Sequence, residues 1–179
     1  EGIDYIQTGI TRSQVGRPLG EWYVLKTDGL FQSEEEVNNY TNSDGQVIQP
    51  FARPGDVRFV DINGDGEINQ EDRTFVGSPW PTMQTGAQFN ASYKNFSFNM
   101  QWVGVFGYTI MNGVRREIDS YQNTNFRADI SPWTPSNTNT SDPRLGVSVG
   151  DPGLIDNARL ESDRWLEDGS YVRLRNLEV

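Results

Sequence analysis

The chain has 179 residues, with 15 Lys and Arg against 25 Asp and Glu, and a formal net charge of -10. So acidic a chain has no electrostatic attraction to a nucleic acid backbone or an anionic membrane surface, while its carboxylates suit metal ions and cationic partners. It has no cysteine and no histidine, which removes disulfides, zinc sites built on those residues and every histidine-based catalytic system.

The chain starts Glu1-Gly2-Ile3-Asp4 and stops at Val179 inside a strand-like run. With no initiator, signal peptide or closing turn, both ends read as cuts, and a fragment is expected. No apolar stretch approaches the ~18 residues a membrane helix needs. Barrel strands stay open, because their apolar residues alternate and leave the mean hydropathy low.

In chain order, the first expected element is a short helix starting at Ser33 and ending near Tyr40. Glu36 lies three residues after Ser33, a capping-box spacing, and Glu34 and Glu35 favour a helix N-terminus.

Next comes the segment with chemistry, residues 61–72. It reads Asp-Ile-Asn-Gly-Asp-Gly-Glu-Ile-Asn-Gln-Glu-Asp and fits a twelve-residue calcium loop. Asp61, Asn63 and Asp65 stand at positions 1, 3 and 5, Gly66 at the sharp turn, and Glu67 where a backbone carbonyl ligates. Ile68 would anchor the loop to a core. Asp72 stands at position 12, where an EF-hand has a longer bidentate Glu, so weak structural calcium binding is expected, at about 10⁻⁴–10⁻³ M. The competing reading is an Asx-rich turn without metal, since Asn-Gly and Asp-Gly turn unaided.

The strongest periodicity spans 86–106. Folded on a two-residue Lys94-Asn95 turn, Tyr93 faces Phe96, Ala91 faces Phe98, Phe89 faces Met100 and Ala87 faces Trp102. The other face pairs Ser92 with Ser97, Asn90 with Asn99 and Gln88 with Gln101. A slip of one residue would destroy both faces, so the register is well specified. Such a hairpin belongs either to a soluble sandwich or to a membrane barrel. The uncharged polar face, strands of about 9–11 residues and aromatics at both ends of the apolar band suit the barrel.

A second helix is expected at roughly 113–122, with Val114, Ile118 and Tyr121 on one face. Residues 131–143 are too rich in Pro, Ser, Thr and Asn for a helix or central strand. Glu167 with Asp168, or Asp151 with Asp156, could be paired as a glycosidase acid and base. In so acidic a chain such neighbours arise by chance. Ser131 and Ser136 have no histidine to activate them. Trp22, Trp80, Trp133 and Trp165 read as loop anchors or girdle residues rather than sugar platforms.

Four segments together resemble the C-terminal half of SusC/RagA-type TonB-dependent receptors. They are Gly16-Arg17-Pro18-Leu19-Gly20-Glu21-Trp22-Tyr23 leading to Thr27-Asp28-Gly29-Leu30-Phe31-Gln32, and Pro54-Gly55-Asp56-Val57-Arg58-Phe59-Val60 running through the 61–72 loop to Arg73-Thr74-Phe75-Val76-Gly77-Ser78-Pro79. The hairpin around Tyr93-Lys94-Asn95-Phe96 and the run Ser162-Asp163-Arg164-Trp165-Leu166-Glu167-Asp168-Gly169-Ser170-Tyr171-Val172-Arg173-Leu174-Arg175-Asn176-Leu177 complete the set. Residues 123–160 match nothing in the pattern.

The resemblance implies an all-β fragment of antiparallel strands and long loops, with one or two short loop helices, from a barrel of about 22 strands whose plug domain lies elsewhere. It implies that residues 1–179 belong to one outer-membrane importer of oligosaccharides or peptides, with 54–79 as its calcium-type segment and 107–169 as a long extracellular loop. TonB, acting through a missing N-terminal part, a SusD-like surface lipoprotein and the lipid bilayer are the implied partners, and no enzymatic activity is implied. The alternative is a soluble, secreted, calcium-stabilised β-sandwich that binds glycans.

Overall fold

The computed structural model describes residues 4–120, 126–146 and 150–179. Its strands in chain order are β1 (Tyr5–Thr8), β2 (Thr11–Gln14), β3 (Glu21–Leu25), β4 (Thr27–Leu30), β5 (Val57–Phe59), β6 (Arg73–Gly77), β7 (Met83–Tyr93), β8 (Phe96–Phe106), β9 (Thr109–Met111), β10 (Leu166–Asp168) and β11 (Tyr171–Glu178). Three short helices, α1 (Glu34–Asn39), α2 (Gly113–Ile118) and α3 (Pro152–Asn157), lie in the connections. The chain is therefore all-β in class.

β7 and β8 form the hairpin that alternation predicts. Every expected pair is present, from Tyr93 opposite Phe96 to Ala87 opposite Trp102, with Ser92 opposite Ser97 and Gln88 opposite Gln101 on the other face. Lys94 turns the chain with a φ of 55°, the positive value that two-residue hairpin turns need at their first position. Phe89 and Phe98 meet edge-to-face across the apolar side, ring centroids 6.0 Å apart.

β11 joins this sheet on the free edge of β8, in the order β11-β8-β7. Its sequence breaks alternation, because Leu174 and Leu177 are three residues apart. A bulge at Arg175 absorbs the odd residue, so that Leu174 sits opposite Trp102 and Leu177 opposite Met100. The bulge thus keeps both leucines on the apolar face, and Asn176 and Glu178 on the face of Gln101 and Asn99. No second layer covers this sheet among the described residues. All eleven residues of β7 are exposed, and Phe89, Tyr93, Phe96, Val172 and Leu177 are open to solvent.

The packed core lies at the other end of the molecule from the Lys94-Asn95 turn. β9 and β10 prolong the β8 and β11 stem as a two-stranded pair. Above it, β1-β2-β3-β6 forms a second sheet, joined to β9 by Trp22 Nε1 donating to the Thr109 carbonyl at 2.9 Å. β4 pairs with β5. Leu25, Val57 and Phe59 form one buried cluster, with Phe31, Leu154 and Trp165 also buried.

Ser33 caps α1 by accepting from the Glu36 N–H, and Tyr40 closes the helix, as the capping-box spacing implies. Glu36 turns back to the Gln32 N–H rather than to that of Ser33 itself. α2 is shorter than expected and ends at Ile118, with Val114 70% exposed. Its expected apolar face is not a core face, and Tyr121 lies outside the described residues. α3 was not foreseen. Its signal is Asp151 as N-cap followed by Pro152 at the first turn.

Candidate metal centre

The 61–72 loop hangs between β5 and β6, with Ile68 packed against the Leu25, Val57 and Phe59 cluster. Asp61 organises its first half. One carboxylate oxygen accepts from Gly64 N at 2.6 Å and the other from Gly66 N at 2.8 Å. Asn63 and Asp65 brace each other, with Asn63 Nδ2 donating to Asp65 Oδ2 at 2.8 Å. Gly66 has a φ of 89° and lies so close to Asn42 that a Cβ would clash.

Asp72 closes the loop. It is fully buried and accepts from Ile62 N at 2.9 Å through one oxygen and from Asn69 N at 2.9 Å through the other. Oxygens of Asp61, Asp65 and Asp72 converge to within 4.8 Å of one another. An ionised carboxylate has about four lone-pair sites, so each can accept these N–H bonds and still ligate a cation. The donor set is all oxygen, as hard divalent cations require. Glu67 is exposed and is not among the converging carboxylates; its N–H donates to Asp65 Oδ1 at 2.9 Å. The N–H of Glu67 and the amide of Asn63 hold the Asp65 carboxyl below the usual range, hence ionised at neutral pH.

These residues fit calcium, and we propose that the 61–72 loop binds it with a Kd of about 10⁻⁴–10⁻³ M and orders residues 54–79. Calorimetry of the full-length protein measures this. Asp61→Ala and Asp65→Ala should each abolish the heat, and absence of any calcium-dependent heat in the parent up to several millimolar would leave the Asx-turn reading in place.

The other acids have structural partners. Asp151 binds Arg144 at 2.9 Å and Asp156 binds Arg159 at 2.9 Å. Glu167 accepts from Asn112 at 3.0 Å, and Asp168 accepts from Ser170 N at 2.8 Å. The indole N–H groups donate within the protein: that of Trp133 to Gln32 at 2.9 Å, that of Trp165 to the Arg159 carbonyl at 2.7 Å and that of Trp80 to the Leu19 carbonyl at 2.7 Å. Sequence reasoning missed the triad of Asp56, Arg144 and Asp151, in which Asp56 lies 88 residues from Arg144 along the chain.

No family model matches the chain. It is 32% identical over 171 residues to TonB-dependent receptor P3 of Formosa agariphila, an alignment that covers 96% of this chain and 16% of that receptor. It is 30% identical over 192 residues to TonB-dependent receptor P26 of the same organism, covering 99% of this chain and 18% of the receptor. Among solved structures, a chain of the RagAB peptide transporter superposes with a TM-score of 0.65 at 18% identity, over 98% of this chain and 18% of that one. The chain therefore spans less than a fifth of the length of these relatives. With homology along nearly all its residues and the fold of the matching RagAB segment, this chain is a TonB-dependent receptor segment, part of a larger receptor of that family.

Proposed function

We propose that this chain is one section of the barrel wall and outer loops of an outer-membrane importer for oligosaccharides or peptides. One observation carries the reading: a long three-stranded sheet with one apolar face and one amide-rich face, neither covered among the described residues, joined at one end to a packed loop assembly. A soluble sandwich would lay a second sheet on the apolar face, and among the described residues none does so. A wall strand instead turns that face to lipid and its amide face to a wet interior. We assign the whole receptor a closed barrel of about 22 strands, with TonB and a SusD-like surface lipoprotein as partners.

The topology follows. Barrel transporters have short periplasmic turns and long extracellular loops. Lys94-Asn95 is then periplasmic, while residues 107–169 and the calcium-type 54–79 segment lie outside the cell. The latter two share one end of the molecule, where Val57 N donates to Asn157 Oδ1 at 2.8 Å and Arg144 N to the Gly55 carbonyl at 2.8 Å. Single cysteines at Asn95 and Asn137 in the full-length receptor test it on intact cells. An impermeant maleimide should label only the second site, and labelling of the first alone would reverse the topology.

A further inference from the structure

A recess of about 320 Å³ opens beside the metal loop, within the size range of small-ligand sites. Ile68, Asn69 and Gln70 of the loop line it together with Arg73, Arg159 and Glu161. Arg73 is more than nine-tenths buried. Its guanidinium is fixed at one corner, where Nη1 donates to the Gly9 carbonyl at 3.1 Å. The other edge is poorly used. Among the described residues, Nη2 has only Glu161, at 3.4 Å, and the buried Nε has no hydrogen-bond partner.

Buried donors are almost always satisfied, and an exception calls for an acceptor that completes the site. The Nε–Nη2 edge of an arginine is a fork that matches the two oxygens of a carboxylate. Glu161 now stands at that edge without filling it. Its backbone is pinned by the bond from Leu25 N, but its side chain is 38% exposed, so it can swing to solvent and yield the edge. Arg159 also lines the recess, with its charge shared with Asp156 at 2.9 Å.

We propose that this recess binds the carboxylate of a small acidic ligand on the Nε–Nη2 edge of Arg73, with Glu161 as the side chain displaced. The proposal stands on the recess and does not need the import reading, because its test measures binding and not transport. The shared chemistry is a carboxylate, supplied by a uronic acid or by an acidic peptide.

Calorimetry of the full-length receptor in detergent would use trigalacturonate, the same trisaccharide with its carboxyls reduced to alcohols, and a triglutamate peptide. One or both acidic probes should bind, and which one does identifies the source. The neutral sugar should bind at least about tenfold more weakly. Arg73→Lys, which keeps the charge and loses the fork, should weaken the acidic probe about tenfold, whereas Glu161→Gln should tighten it severalfold. Failure of both acidic probes, equal binding of the neutral sugar, or weaker binding by Glu161→Gln would overturn the proposal. Should Arg73→Lys fail to fold, the Glu161→Gln and neutral-sugar results decide it.

Discussion

Phe98→Arg is expected to destabilise the membrane-inserted receptor by about 1–3 kcal/mol, while Asn99→Arg, one residue along, costs little. The two side chains leave opposite faces of β8. Phe98 sits across from Ala91 and packs its ring on Phe89, in a face continued by Leu174 and Leu177 from β11. Hydrocarbon cannot hydrate a guanidinium, and Phe98 lies two residues inside the Tyr93–Phe96 end of the apolar band, between the interface and the midplane. Asn99 instead faces Asn90 and Glu178, with its amide 3.5 Å from the Glu178 carboxylate. An arginine there gains an acidic neighbour and meets a wet interior. Reversible denaturant unfolding from lipid vesicles measures both variants. Equal penalties at the two positions would contradict the assignment of faces. So would monomeric, cooperative folding of the chain in buffer without lipid or detergent, the behaviour of a sandwich.

Asp56→Ala should release the outer loops with a loss of about 3–5 kcal/mol, the cost of stripping one partner from a buried ion pair. Asp56 is 1% exposed. One of its oxygens lies 2.7 Å from Arg144 Nε and 2.8 Å from Asn157 Nδ2, and the other accepts from Arg53 N at 2.8 Å. Through these bonds a single carboxylate ties β5 to α3 and to the strand-free segment at Arg144. Burial pulls the Arg144 guanidinium down, but its bonds to Asp56 and Asp151 outweigh this and hold it above its usual range. Burial likewise raises the Asp151 carboxyl, and Arg144 reverses the sign, leaving it below the usual range. The depressed Asp151 contributes stability that is present above its unfolded pKa and is lost as pH falls through the folded one. Hydrogen exchange should therefore rise across 126–146 and 150–165 in Asp56→Ala at neutral pH, and in the parent only in acid. The control is Arg58→Ala, which breaks a surface pair with Asp28 and should cost under about 1 kcal/mol. Equal exchange in Asp56→Ala and Arg58→Ala would show that the triad does not hold the loops.

Local pattern by itself determined the hairpin, the first helix and the oxygen-rich loop. In the hairpin, period-two alternation around Lys94-Asn95 leaves one register in which both faces agree, so the pairing is readable from the order of residues alone. Ser33 with Glu36, and the spacing from Asp61 to Asp72, are likewise contacts between near neighbours in the chain, where residue type and offset nearly suffice. The tertiary structure decided what joins residues far apart. Nothing local says that Arg144 is shared by Asp56 and Asp151, because any of 25 acids could have met any of 15 cations, and the choice was made by the packing of β5 against α3. The same holds for β11. Its broken alternation reads as a poor strand until β8 supplies a partner and a bulge at Arg175 returns Leu177 to the apolar face. α2 shows the converse, since a good helical period around Val114 and Ile118 found no core to face. Periodicity reports which side of an element is apolar. Which surface meets that side depends on how the whole chain closes.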